Sequence, residues 1–159
     1  MDTDQTAGRQ GNGDPSAEGP GTTSSTALVR LVLVAHDPGD WFEEVLTAIG
    51  AQDHSGLDVL VVDAGRRKGL PERVTAVLPW AEVAAAPGDP GFGEAANVAL
   101  ERLDGAAYHL FLHDDLVLDG TAVRRMVECA LESNAGVVGP KVLDGSDPRH
   151  LEDMGSWVD

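Results

Sequence analysis

The sequence predicts an α/β domain built on a mostly parallel β-sheet, and three observations carry that prediction. Short apolar runs rich in Val and Leu recur across residues 27–143, with stretches of helical apolar spacing between them. The runs at 28–34 and 57–62 are apolar nearly throughout, as expected of strands covered on both faces. Polar residues then gather where the runs stop: His36 and Asp37, Asp63, and His113, Asp114 and Asp115. Alternation of this kind builds βαβ units with right-handed crossovers.

The elements follow in order. After the first strand, 28–34, the turn His36-Asp37-Pro38-Gly39-Asp40 ends on an aspartate placed to cap a helix. Trp41, Phe42, Val45, Leu46 and Ile49 give that helix one apolar face. A second strand spans 57–62 and ends at Asp63, with Gly65 in the next loop. Residues 70–78 form a short helix with Pro71 in its first turn, and 81–86 a weak third strand. A glycine-rich loop, 88–93, runs into a helix over 94–103. The strand 107–112 stops at His113-Asp114-Asp115. A helix over 121–133 turns Val123, Met126, Val127, Ala130 and Leu131 inward, and Val137-Val138 leads into Gly139-Pro140 as a fifth strand end.

Bulk properties narrow the function. A length of 159 residues and 42% hydrophobic content suit one domain with a sizeable core. Residues 1–26 hold almost nothing to bury and are expected to be a disordered acidic Gly/Ser-rich tail, leaving 27–159 as the folded part. A net charge of −16 argues against nucleic acid or an anionic membrane surface as partner. It also repels anionic substrates unless a cation or a helix N-terminus screens them. The one cysteine, Cys129, excludes an internal disulfide and reads as a buried thiol in a reducing compartment. No apolar run approaches the roughly 18 residues needed to span a bilayer, and residues 1–26, without an apolar core segment, do not read as a signal peptide.

The pair Asp114-Asp115 is the sharpest chemical feature. A strand interior cannot hold unpaired carboxylates, so both belong at the strand's C-terminal end, the edge where open α/β sheets bind ligands. Hard oxygen ligands there suit Mg²⁺ or Mn²⁺, which in turn hold phosphate oxygens. An acidic turn closing a strand is the plainer alternative. Asp63 alone reads equally as a turn former, the glycine loop as ordinary punctuation, and Asn97 as a solvated polar position.

Taken together and in order, these pieces resemble family 2 glycosyltransferases of the GT-A fold, a Rossmann-like sheet with helices on both faces. Val32-Leu33-Val34-Ala35-His36 is similar to the family's first strand and loop, and Leu60-Val61-Val62-Asp63-Ala64-Gly65 to its "VVDNGS" segment. Gly91-Phe92-Gly93-Glu94-Ala95-Ala96-Asn97 matches its glycine loop and helix. Phe111-Leu112-His113-Asp114-Asp115 matches its D-x-D site, and Val137-Val138-Gly139-Pro140 follows in place. The resemblance implies a hexosyltransferase-like, inverting and metal-dependent enzyme with a nucleotide-diphosphate sugar as donor. Its acceptor would be a carbohydrate or lipid-linked molecule, and its setting cell wall or polysaccharide biosynthesis. A cytoplasmic location follows, with any hold on the inner membrane face supplied by regions outside this segment.

Carried over by position, Ala35, His36 and Asp63 would hold the nucleobase and ribose. Asn97 would close the glycine motif, His113 and Asp114 would contact the donor, and Asp115 would bind the Mg²⁺ or Mn²⁺ that bridges the diphosphate. The chain departs from the family at His113, where an acid or amide is usual; a hydrogen-bonding role is expected there, with a nitrogen ligand to the metal as the alternative, since Mg²⁺ prefers oxygen. It departs also at Asp89, in place of the glycine loop's first asparagine, and at Ala64-Gly65-Arg66, where a basic turn runs on through Arg67 and Lys68. The acid that would serve as catalytic base belongs to the family's C-terminal half; the acidic pair Glu152-Asp153 comes too early to take that role. The chain therefore reads as the donor-binding portion, cut short on its C-terminal side. The alternative reading is a non-catalytic nucleotide-binding or receiver-like signalling domain, although a receiver carries its acidic pair after the first strand.

Overall fold

Seven residues, Val29–Ala35, form β1, the strand on which the rest of the sheet is assembled. The computed structural model describes residues 27–102 and 105–154, so the disorder expected of 1–26 falls outside the described residues. β1 is buried along nearly its whole length, which its apolar side chains on both faces require. It pairs in parallel with β2 (Leu57–Asp63) on one side and with β4 (Tyr108–His113) on the other. β3 (Glu82–Ala85) adds to the far side of β2, giving the parallel order β3-β2-β1-β4.

The period of two along β1 sorts the core into two layers. Leu31, Leu33 and Ala35 pack with Val59 and Val61 against helices α1 (Phe42–Gly50) and α2 (Leu70–Val77). Val32 and Val34 pack with Leu60 and Val62 against the alanines of α3 (Phe92–Ala96) and the 3-10 segment Asn97–Arg102. Helix α4 (Ala122–Ser133) sets Val123 and Val127 against Val29. Helices on both faces of a parallel sheet are as the sequence predicts. β5 (Val142–Leu143) and β6 (Leu151–Asp153) form a separate antiparallel pair.

Arg73 fastens α2 to the start of α1. Its guanidinium lies 5.1 Å from the Phe42 ring centroid, donates to both carboxylate oxygens of Glu43, and reaches the carbonyls of Pro38 and Gly39. The loop that leaves β1 is thus held from below. Gly69, which precedes α2, has φ +100, a left-handed conformation that side chains resist.

Several expectations are corrected. Asp40 does not cap α1; the first turn is closed by backbone bonds from Phe42 N to Gly39 O and Val45 N to Trp41 O. The helix expected over 94–103 tightens after Ala96 into a 3-10 segment, where Arg102 bonds both Glu82 of β3 and the carbonyl of Val98. Val137 and Val138 form no strand: Val137 is 92% exposed, and Pro140 has no N–H to give a ladder. Cys129 is exposed rather than buried, because it lies on the side of α4 away from Val123, Val127 and Ala130; Leu131 is exposed as well.

Phe42 is fully buried beneath Arg73, so Phe42→Ala should cost about 3–5 kcal/mol. Urea unfolding followed by far-UV circular dichroism measures this, and the midpoint should fall with little change in slope.

Candidate functional site

Parallel pairing brings the C-terminal strand ends to one rim. Ala35 is level with Asp63, and Val34 with His113. The chain winds outward from β1 to β3 and then returns to the opposite side of β1, so β1 and β4 flank a topological switch point, where such sheets form a crevice. In a receiver-like fold the third strand would lie beside the first; here β2 separates them.

β4 ends in the turn His113-Asp114-Asp115, closed by a bond from Leu116 N to His113 O. Asp114 is buried, and its Oδ2 accepts the His36 backbone N–H at 2.7 Å, which joins the ends of β4 and β1. His113 and Asp115 flank it and are exposed. His113 Nδ1 lies 3.0 Å from Asp115 Oδ1 and 3.3 Å from Asp114 Oδ1. The ligand atoms of all three residues fall within 4.8 Å of one another. The His113 ring stacks on Phe92 at the start of α3, with centroids 5.5 Å apart and planes at 17°. Two carboxylates and an imidazole converging on one small space suit a divalent cation.

The loops beside this group are held by charge. Asp89 of the glycine loop accepts from Arg66 Nη2 at 2.6 Å and meets His36 Nε2 at 2.9 Å. That bond to Asp89 holds the His36 imidazole above its ordinary pKa of 6.5, and the same partners hold Asp89 below the usual carboxylate range. Asp37 adopts φ +50, uncommon for a residue that precedes proline. Its Oδ1 accepts the backbone N–H groups of Arg66 (2.8 Å) and Arg67 (2.7 Å), which lower its pKa. Gly65 passes so close to Asp37 that a Cβ would collide with its carboxylate. Asp63 Oδ1 in turn accepts from Gly65 N at 3.1 Å.

The predicted residues are therefore placed unequally. His36, Asp63, His113, Asp114 and Asp115 all stand on this rim. Ala35 is fully buried with its carbonyl accepting from Ala64 N, so it supports the rim through its backbone. Asn97 is exposed at the start of the 3-10 segment and lines a separate shallow cleft with Pro87, Pro90, Glu94 and Arg102. Sequence reasoning missed the work of Asp37 and of the Asp89–His36–Arg66 contact. An acid followed by Pro-Gly after an apolar run was the available sign of a special turn.

The His36–Asp89 contact should depend on pH. Because the partner raises the His36 pKa, the bond contributes fully below pH 6.5 and is lost as pH climbs through the raised value. An NMR titration of the His36 ring should give a midpoint above 6.5, and Asp89→Asn should move it down.

Comparison with known proteins agrees with this fold. A family model, glycosyl transferase family 2, matches residues 31–157. Among solved structures, S. aureus TarS aligns with a TM-score of 0.57 at 18% identity, over 67% of this chain and 20% of that one. TarS 1-349 in complex with UDP-GlcNAc aligns at 0.57 and 16%, over 67% and 32%. The mannosyltransferase PcManGT from Pyrobaculum calidifontis, in complex with GDP-Man and Mn²⁺, aligns at 0.56 and 21%, over 76% and 37%. The chain thus spans between a fifth and two fifths of these proteins' lengths, and the likeness establishes a GT-A fold. By fold and by sequence, the chain belongs to glycosyl transferase family 2.

Proposed function

We propose that the rim binds the nucleoside diphosphate of a nucleotide-hexose donor with a divalent cation, for inverting transfer to a carbohydrate or lipid-linked acceptor. The convergence of His113, Asp114 and Asp115 at the switch point of a family 2 chain is the observation that carries this reading. Similar structures hold UDP-GlcNAc in one case and GDP-Man with Mn²⁺ in another, both nucleotide hexoses.

Asp115, exposed at the end of β4, would hold Mg²⁺ or Mn²⁺. When bound, the cation neutralises the diphosphate and stabilises the departing nucleoside diphosphate. His36 and Asp63, at the ends of β1 and β2, would meet the base and ribose, in a rim shaped by buried Ala35. Asp37 keeps the 65–67 turn in place beside them through its two backbone bonds. Asp114 supports the rim from within by fixing His36 N, and Asn97 would close the glycine-loop side. Arg66, Arg67 and Lys68 supply positive charge next to this rim on a chain of net charge −16. Their presence reduces the repulsion a diphosphate meets on approach.

Calorimetric titration of UDP and GDP, with and without Mn²⁺, tests the proposal. Wild-type chain should bind one of them in a Mn²⁺-dependent manner, and Asp115→Ala should lose about tenfold or more of that affinity, a change of about 1.4 kcal/mol. Equal affinity with and without metal, or an unaffected Asp115→Ala, would contradict the reading.

A further inference from the structure

We infer that His113 is a nitrogen ligand of the divalent cation, and that it tilts the centre toward Mn²⁺ and away from Mg²⁺. This rests on the donor-binding reading above and adds a residue role and a metal preference to it.

The geometry leads there in steps. His113 Nδ1 approaches Asp115 Oδ1 to 3.0 Å and Asp114 Oδ1 to 3.3 Å, so the nitrogen faces both carboxylates. Ligand atoms cis to one another on an octahedral ion, each about 2.1 Å from it, stand about 3.0 Å apart. A hydrogen bond between imidazole and carboxylate has nearly the same separation, so one arrangement serves either partner. Phe92 stacks on the ring at 17°, which holds the plane of the imidazole beside the two carboxylates.

The donor set then decides the metal. Mg²⁺ prefers oxygen ligands throughout and gives up water reluctantly, whereas an imidazole nitrogen is acceptable to first-row transition ions. An acid in place of His113 would make an all-oxygen set, and the imidazole moves the set toward Mn²⁺.

Pulsed electron paramagnetic resonance of Mn²⁺ bound to the chain with UDP tests this. The expected result is ¹⁴N modulation from a directly bound imidazole, kept in His109→Ala near the other end of β4 and lost in His113→Ala, while Mn²⁺ with UDP stays bound more weakly. Calorimetry should show the Mn²⁺ over Mg²⁺ preference narrowing about tenfold in His113→Asp, which restores an oxygen ligand. Bound Mn²⁺ without nitrogen modulation, or modulation that survives His113→Ala, would overturn the inference and leave the donor-binding reading standing. Failure of Mn²⁺ to bind with either UDP or GDP would overturn both.

Discussion

One buried carboxylate holds the rim together. Asp114 sits at the end of β4, and its Oδ2 takes the backbone N–H of His36 at the end of β1. A carboxylate removed from water costs several kcal/mol unless it is bonded, so its position is strongly constrained by that partner. Among the described residues, no buried side-chain polar atom is left without a partner. With Asp114 turned inward to β1, its neighbours His113 and Asp115 are left exposed on the rim, where an ion and a diphosphate can reach them. The same acid thus closes the sheet and opens the site.

Around that bond the loops are joined by groups far apart in sequence. Asp37 gathers the backbone of Arg66 and Arg67, and Asp89 draws His36 and Arg66 together. Each contact is exposed and individually modest, because water and salt screen it. Their common effect is geometric: the β1 loop, the β2 loop and the glycine loop keep a shared arrangement beside the acidic turn. Phe92 adds an apolar tie between the glycine loop and His113.

Much of this was legible in the sequence, and the reason is local. Strands buried on both faces leave continuous apolar runs, and the acids that cannot enter them mark their ends, so β1, β2 and β4 with their terminal residues could be read directly. What escaped depends on tertiary contact. The 3-10 segment ends at Arg102, whose partner Glu82 lies on β3, and the exposure of Cys129 depends on which side of α4 meets Val29. Val137 and Val138 carry strand-like side chains but lack the ladder partners a strand needs. The roles of Asp37 and Asp89 rest on partners that no nearby pattern announces.

The central claim is that a divalent cation and a nucleoside diphosphate meet at the end of β4. Paramagnetic broadening of amide signals by Mn²⁺ in the presence of UDP tests it most directly. The account predicts the strongest broadening at residues 113–115, then at 35–37 and 91–93, fading toward the N-terminal ends of β1 and β4 about 20 Å away. Broadening centred elsewhere on this acidic chain, or unchanged when UDP is withheld, would contradict it.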